Sequence, residues 1–438
     1  MLQKIVLVSA LTIASLNSYA SVIVKEGYRI TDPTKQFLPQ LKLRKDFSFD
    51  QINSRGYTIY GPDGLGKWLN QNNIKGVDVN YYEEDKAAPA ASYVSNEELG
   101  KILASYQTRF PQLAKLESLG KTGQNRDIWA LKISKNVTVD EVEPEFKYIA
   151  NMHGDEITGR EVTARLIPDL LENYGKDEQI TKLLDNTEIY IIPSMNPDGM
   201  AAHRRGNAKS IDLNRDFPDF NEDPINTPTG RAIETQAVMR FQAQHHFALS
   251  ANYHGGEIVV NYPWDGVREL HPLNDFIVDI SKEYASTNPS MKNSTDFTDG
   301  ITNGYEWYEL HGGMQDWSYR WHNDLQVTLE ISMMKWVSYS DIDRFYNDNR
   351  ESMINYLARV HQGAGFKLQD KSASGKVKVI DSHGTNLGEF SFTGGEFFKV
   401  LDVGNYTYEI ITGARAPLKI SVTVNKNEIL PHGNYVSI

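Results

Sequence analysis

Phe146-Lys147-Tyr148-Ile149-Ala150-Asn151-Met152-His153-Gly154-Asp155-Glu156 is the stretch from which the fold of this chain can be read. Its first five residues form a compact run of strand character that leads straight into a His-x-x-Glu pair. A second run, Phe247 to Asn252, delivers Tyr253-His254 in the same way, followed by Gly255-Gly256. Two imidazoles and one carboxylate make a catalytic zinc set, with three protein ligands and a fourth position left for water. Structural zinc sites are usually four-ligand and rich in cysteine, and this chain has no cysteine. His153, Glu156 and His254 therefore read as ligands of one Zn2+ per chain, and that zinc is expected to do chemistry.

Outward from this stretch, helices and strands alternate. Helices are expected over 96–110, 161–174, 232–245, 276–284 and 341–361, and further strands over 187–193 and 325–331. That order implies an α/β fold with a mixed, largely parallel sheet covered by helices on both faces. In such sheets functional residues gather at the carboxyl ends of strands. His153 and His254 follow directly on strands, and Glu330 closes Leu325 to Ile331.

The pattern changes at both ends of the chain. Before about residue 92, Gly56 to Tyr60 and Val77 to Tyr81 read as strands and Leu65 to Gln71 as a short helix. A charged and then Ala/Pro-rich linker, Glu83 to Ala91, closes this small α/β segment. Residues 21–92 form a candidate pro-region or interaction module, and the catalytic text runs from 93 to 363. Over 364–438 short alternating strands separated by Gly, Asn and Asp predict a small all-β sandwich.

Lys4, the apolar run Ile5 to Leu16 and the small residues Ser18 and Ala20 form a secretory signal, with cleavage expected after Ala20. Export without any cysteine points to a bacterial periplasmic or extracellular protein stabilised by its core and its metal. No later stretch is long and apolar enough to span a bilayer. A net charge of −12 argues against nucleic acid as a partner, because phosphates require basic surface.

Three further motifs carry chemistry. Asp212-Leu213-Asn214-Arg215-Asp216-Phe217-Pro218 follows His203-Arg204-Arg205, and an Asn beside an Arg can grip a carboxylate with a fork of donors. Glu330 is a carboxylate inside an apolar strand, which needs either a partner or a task. The glycine- and aromatic-rich run from Ile301 through Trp307-Tyr308 to Trp317 reads as a binding loop, with a packed aromatic corner as the plainer reading of Trp307 and Trp317.

On these motifs, with MHGDEITGRE, PSMNPDG, SANYHGGEIVVNYPWD, GITNG, WYELHGGMQDW and VTLEIS in order, residues 93–363 resemble the zinc metallocarboxypeptidases. They are most similar to the regulatory branch that contains carboxypeptidases N, E, M and D. The resemblance implies the metallocarboxypeptidase fold followed by a transthyretin-like β-sandwich. It makes His153, Glu156 and His254 the zinc ligands and Glu330 the general base, which takes a proton from the attacking water and returns it to the leaving amine. Arg205, with Arg204 as its neighbouring alternative, would stabilise the oxyanion. Asn214 and Arg215 would clamp the terminal carboxylate of the substrate. Tyr308, with Tyr305 as a second candidate, would close over it. Asp265 would sit at the bottom of the first pocket and pair with a C-terminal Lys or Arg, with Gln315 as a polar neighbour.

The resulting expectation is an exported exopeptidase acting on peptides or proteins with a free, basic C-terminus. A peptidoglycan stem-peptide carboxypeptidase is the alternative, since diaminopimelate also ends in a cation. A non-catalytic peptide-binding module is the third reading, opposed by the intact set of ligands, base and arginines. Glu257 and Asp216 depart from the family pattern and are expected to add negative charge near the cleft.

Overall fold

The computed structural model describes residues 21–79, 93–139, 141–413, 416–426 and 428–438. The expected signal peptide and the linker around 83–91 lie outside these residues. Among the described residues, no helix is long and apolar enough to cross a membrane.

The N-terminal segment forms its own module. Strands β1 (Glu26–Thr31), β2 (Ser48–Asn53), β3 (Gly56–Gly61) and β4 (Gly76–Asp78) make an antiparallel sheet in the order β2-β3-β1-β4. Ile30, Leu41, Tyr57, Ile59 and Leu69 fill its core, the last from the helix Leu65–Gln71. Val77 to Tyr81 was expected to be a strand; the described part of it is the short edge strand β4.

The main sheet has eight strands. They are β5 (Ala114–Lys121), β6 (Asp127–Ile133), β7 (Glu145–Ala150), β8 (Glu188–Ile192), β9 (Phe247–His254), β10 (Ile258–Tyr262), β11 (Ile301–Asn303) and β12 (Leu325–Ile331). Their order is β11-β10-β12-β9-β7-β8-β6-β5. The centre, β12-β9-β7-β8, is parallel, while β10 joins β12, and β6 joins β8 and β5, in antiparallel fashion. Strands β9 and β12 are buried along their whole length, so the polar Ser250, Asn252, Gln326, Thr328 and Glu330 lie inside together with the apolar side chains. Each fully buried aliphatic side chain there contributes roughly 1.5–3 kcal/mol. Alternation within β7 assigns the two faces. Tyr148 belongs to the buried cluster that includes Val162, Leu166, Ile277 and Met353 of the helices, and Ile149 to a separate one with Val238, Phe241 and Trp317.

The largest departures from expectation follow from burial. The helix expected from Glu161 begins at Ile157 and ends at Asn173, because residues 157–163 are buried all round and carry no amphipathic period. Gly312 to Trp317 is not all loop: Met314–His322 is a helix, with Trp317 fully buried against Phe217. Strand β5 has no apolar run to announce it, being an edge strand with charged and half-exposed positions.

After Arg359–His361 the chain enters two further sheets, β16-β13-β19 and β15-β14-β17-β18, built from β13 (Gly363–Lys367), β14 (Gly375–Asp381), β15 (Asn386–Phe392), β16 (Glu396–Val400), β17 (Gly404–Ile411), β18 (Leu418–Val424) and β19 (Tyr435–Ser437). Buried Lys399 anchors this all-β part to the main domain, donating to Tyr319 Oη at 2.8 Å and Asn323 Oδ1 at 2.6 Å.

Candidate active site

The loop after β7 is shaped before it holds anything. Asn151 adopts a left-handed conformation (φ 55°), and its side-chain amide donates to the carbonyls of His153, Gly154 and Glu156 at 2.9, 3.2 and 3.1 Å. Gly154 lies against the short helix Pro197–Ala201 so closely that a Cβ would stand 2.1 Å from the Gly199 carbonyl carbon. Side chains on either side of this tight turn, His153 and Glu156, are thereby aimed to the same place. His254 arrives from the next strand as the last residue of β9.

These three residues converge. The Nδ1 atoms of His153 and His254 are 3.1 Å apart, Glu156 Oε1 is 3.0 Å from the first and Glu156 Oε2 is 2.8 Å from the second. Lone pairs of two imidazoles and a carboxylate meeting at one buried point fit a zinc ion, with the open side facing the cavity. The outer nitrogen of His153 donates to Asp212 Oδ1 at 3.0 Å, which fixes the tautomer and leaves Nδ1 free to ligate.

Asp212 also accepts from Arg205 Nε at 3.0 Å and from Ser48 Oγ at 2.9 Å. Burial alone would raise its pKa, but Arg205, His153 and Arg215 hold it well below the usual carboxylate range. Glu156 behaves likewise: burial opposes its charge, and His153, Lys335 and His254 outweigh it. Glu330 is the opposite case. Burial, reinforced by the charges of Glu156 and Asp50, pushes it well above the usual range, and its Oε2 has no hydrogen-bond partner.

A narrow cavity opens on this group. Its walls include His153, His254, Arg205, Asn214, Arg215, Asp265, Tyr308 and Glu330. Arg205 is buried in the site while Arg204 is exposed, and Tyr308 lines the cavity whereas Tyr305 does not. Asp265 lies at 3% exposure, accepting from Asn261 Nδ2 and Gln315 Nε2, each at 3.0 Å, on the same oxygen. Gln315 thus supports Asp265 from behind instead of lining the cavity. Behind both, Asp316 accepts from the backbone N–H groups of Asp265 and Gly266. Burial pushes Asp265 up to about 6, against the lowering effect of Asn261 and Arg215.

Neither departure from the family pattern faces the cavity. Asp216 accepts from Ala232 N and Ser21 Oγ. Glu257 is bonded to Asn53 of the N-terminal module, and burial pushes it up to about 7.

Sequence reasoning missed two charged residues here. Lys335 donates to Glu156 Oε1 at 2.7 Å and to Asp50, and Asp50 reaches Arg205 Nη1 at 2.8 Å from the other side of the cleft. Lys335 stands five residues after Glu330, past the end of the strand, where only its proximity to that motif marked it. Asp50 sits in a segment with no recognisable motif, and nothing local marked it.

Residues 99–352 match the family model described as zinc carboxypeptidase. Mouse carboxypeptidase M is 40% identical over 66% of this chain and 70% of its own length. The human carboxypeptidase N catalytic chain is 34% identical over 76% of this chain and 83% of its own. Human carboxypeptidase D is 37% identical over 74% of this chain, which spans only 25% of that longer protein. Among solved structures, carboxypeptidase A from Helicoverpa armigera superposes with a TM-score of 0.61 at 18% identity, covering 78% of this chain and 98% of that one, a likeness of fold alone.

Proposed function

This chain belongs to the zinc carboxypeptidase family, and from that premise we propose that it is an exported enzyme that removes C-terminal Lys or Arg from peptides. One observation carries the specificity. Asp265 is a buried carboxylate in the cavity wall, one of whose oxygens is bonded to Asn261 and Gln315. A neutral side chain in this pocket would leave the carboxylate without a counter-charge, which costs about 1–3 kcal/mol or more.

The roles follow from position. Asn214 and Arg215 take the terminal carboxylate of the substrate, a task suited to the planar fork of a guanidinium. Tyr308 covers the bound residue. His153, Glu156 and His254 would hold the zinc ion, which would supply a Lewis acid for activating water and polarising the scissile carbonyl. Glu330 accepts the proton of the attacking water and passes it to the leaving amine; a carboxyl whose pKa is raised by burial is suited to both halves of that task. Arg205 stabilises the oxyanion, a contribution of about 3–4 kcal/mol for one such donor. The first twenty residues support export through their charged start, apolar core and small residues before the cleavage point.

A panel of short peptides differing only in the last residue, with and without chelator, tests this reading. Arg and Lys termini should be released fastest and only with metal present. A preference for Phe would remove the assignment of Asp265.

A further inference from the structure

We infer that Lys399 of the C-terminal all-β part is a positioning residue for substrate selection: by gripping Tyr319 and Asn323 it sets where the helix Met314–His322 presents Gln315 and Asp316 to Asp265. This inference rests on the carboxypeptidase reading above and extends it, because it gives β16 a share in the choice of the C-terminal residue.

Lys399 is a lysine in an unusual place. It sits inside β16, fully buried, and neither of its hydrogen-bond partners, Tyr319 Oη and Asn323 Oδ1, is a carboxylate. Its Nζ lies 4.4 Å from the centroid of the Tyr319 ring and 4.1 Å from that of Phe390. Desolvating an amine so completely is unfavourable, and burial pushes its pKa well below the usual lysine range. Asn323 stands just past the end of the helix at φ 59°, and its side-chain amide donates back to Phe398 O at 2.9 Å. Residues 398 and 399 thus hold both the last turn of the helix and the residue that ends it.

That helix is nine residues long, so its two ends move together. Its first turn carries the supports of Asp265. Gln315 Nε2 donates to Asp265 Oδ1 at 3.0 Å, and the Asp316 carboxylate accepts from the backbone N–H groups of Asp265 and Gly266 at 3.0 and 2.9 Å. A second route reaches the same residue. The Tyr319 ring lies 5.6 Å from Trp264, the neighbour of Asp265 in sequence, and His271 stands against both rings, 4.1 Å from Tyr319 and 4.6 Å from Trp264. Side chain and backbone of Asp265 are therefore tied to a helix whose far end Lys399 fixes. A buried carboxylate that must meet a substrate cation is sensitive to small displacements, because the ion pair weakens as the separation grows. An apolar C-terminal residue makes no such demand. The helix start also touches Asn214, through Met314 N at 3.1 Å, but the terminal carboxylate that Asn214 serves is common to every substrate.

The test uses the zinc-loaded full chain as wild type, Lys399→Met, Asp265→Asn and the double variant. The readouts are kcat/KM on two short peptides ending in Arg and in Leu, and the Kd of free arginine by calorimetry. Lys399→Met should lower the Arg-over-Leu ratio by about two- to thirtyfold and weaken arginine by a similar factor, with one zinc per chain retained. In the Asp265→Asn background the same substitution should leave the ratio unmoved, because the charge it positions is gone. A folded Lys399→Met protein with the wild-type ratio would overturn the inference. So would an equal fall of the ratio in both backgrounds, or a loss shared alike by the two peptides, which is what a merely structural role gives. A wild type that binds arginine without cutting either peptide would remove the reaction, and the arginine Kd then decides on Lys399 alone. A wild type that prefers neither terminus would remove the assignment of Asp265 and this inference with it. Should Lys399→Met fail to fold, Tyr319→Phe, which deletes only the hydroxyl that Lys399 holds, decides by the same ratio in both backgrounds.

Discussion

His254 and Glu330 are Cα partners across the parallel pairing of β9 and β12. A metal ligand and an unpaired buried carboxylate thus share one rung of the most deeply buried part of the sheet, and neither can shift without breaking that register. Glu330→Gln keeps the shape and removes the proton acceptor. The variant should retain stoichiometric zinc and bind arginine normally, while kcat falls by about 10²–10⁴-fold. Zinc analysis and steady-state kinetics on one preparation check this, and near-normal turnover would take Glu330 out of the mechanism.

Specificity should depend on pH through Asp265. Burial raises its pKa to about 6, so it is ionised above that pH and neutral below it. Its neighbour Asp316 is held higher still, by burial and by the charge of Asp265, so the pair shares the titration. The ratio of kcat/KM for Arg-ending over Leu-ending peptides should be flat at neutral pH and fall by up to about tenfold per unit below about pH 6. Taking the ratio cancels the titration of Glu330, which acts on both substrates alike.

Asp265→Asn removes the same charge at every pH. It should cost Arg-ending peptides about 1–3 kcal/mol, roughly five- to a hundred-and-fiftyfold in kcat/KM, and spare Leu-ending ones. A competition assay with both peptides in one vessel reads this directly.

Asp212 touches His153 and not the reacting atoms, so its substitution should appear first in metal affinity. Asp212→Asn should weaken zinc binding by about 10–100-fold, measured by competition with a chelating dye. Added zinc should restore much of the activity, which a collapse of the fold would not allow.

Much of this was legible in the sequence. Phe146 to Ala150 and Leu325 to Ile331 are parallel strands buried on both faces; the first announces itself by a mostly apolar run and the second by Leu, Val, Leu and Ile at alternate positions. The ligands follow them at once, so the metal set could be read before any fold was seen. Strand β5 was invisible because an exposed edge leaves no such signature. The helix at Met314 was hidden by Gly312-Gly313 and its aromatics, although its start depends on Asn214 Oδ1, which accepts from Met314 N at 3.1 Å. Asp50 was invisible for a different reason: its role depends on a module folding back on a cleft more than a hundred residues away in sequence, and no local pattern encodes that return.

The most direct test is mass spectrometry of an Arg-ending peptide incubated with the full chain carrying one zinc. Loss of the single terminal residue, abolished by chelation, is the expected result. A folded, zinc-replete preparation that leaves the terminus intact, or cuts the peptide internally, would contradict the assignment of an exopeptidase.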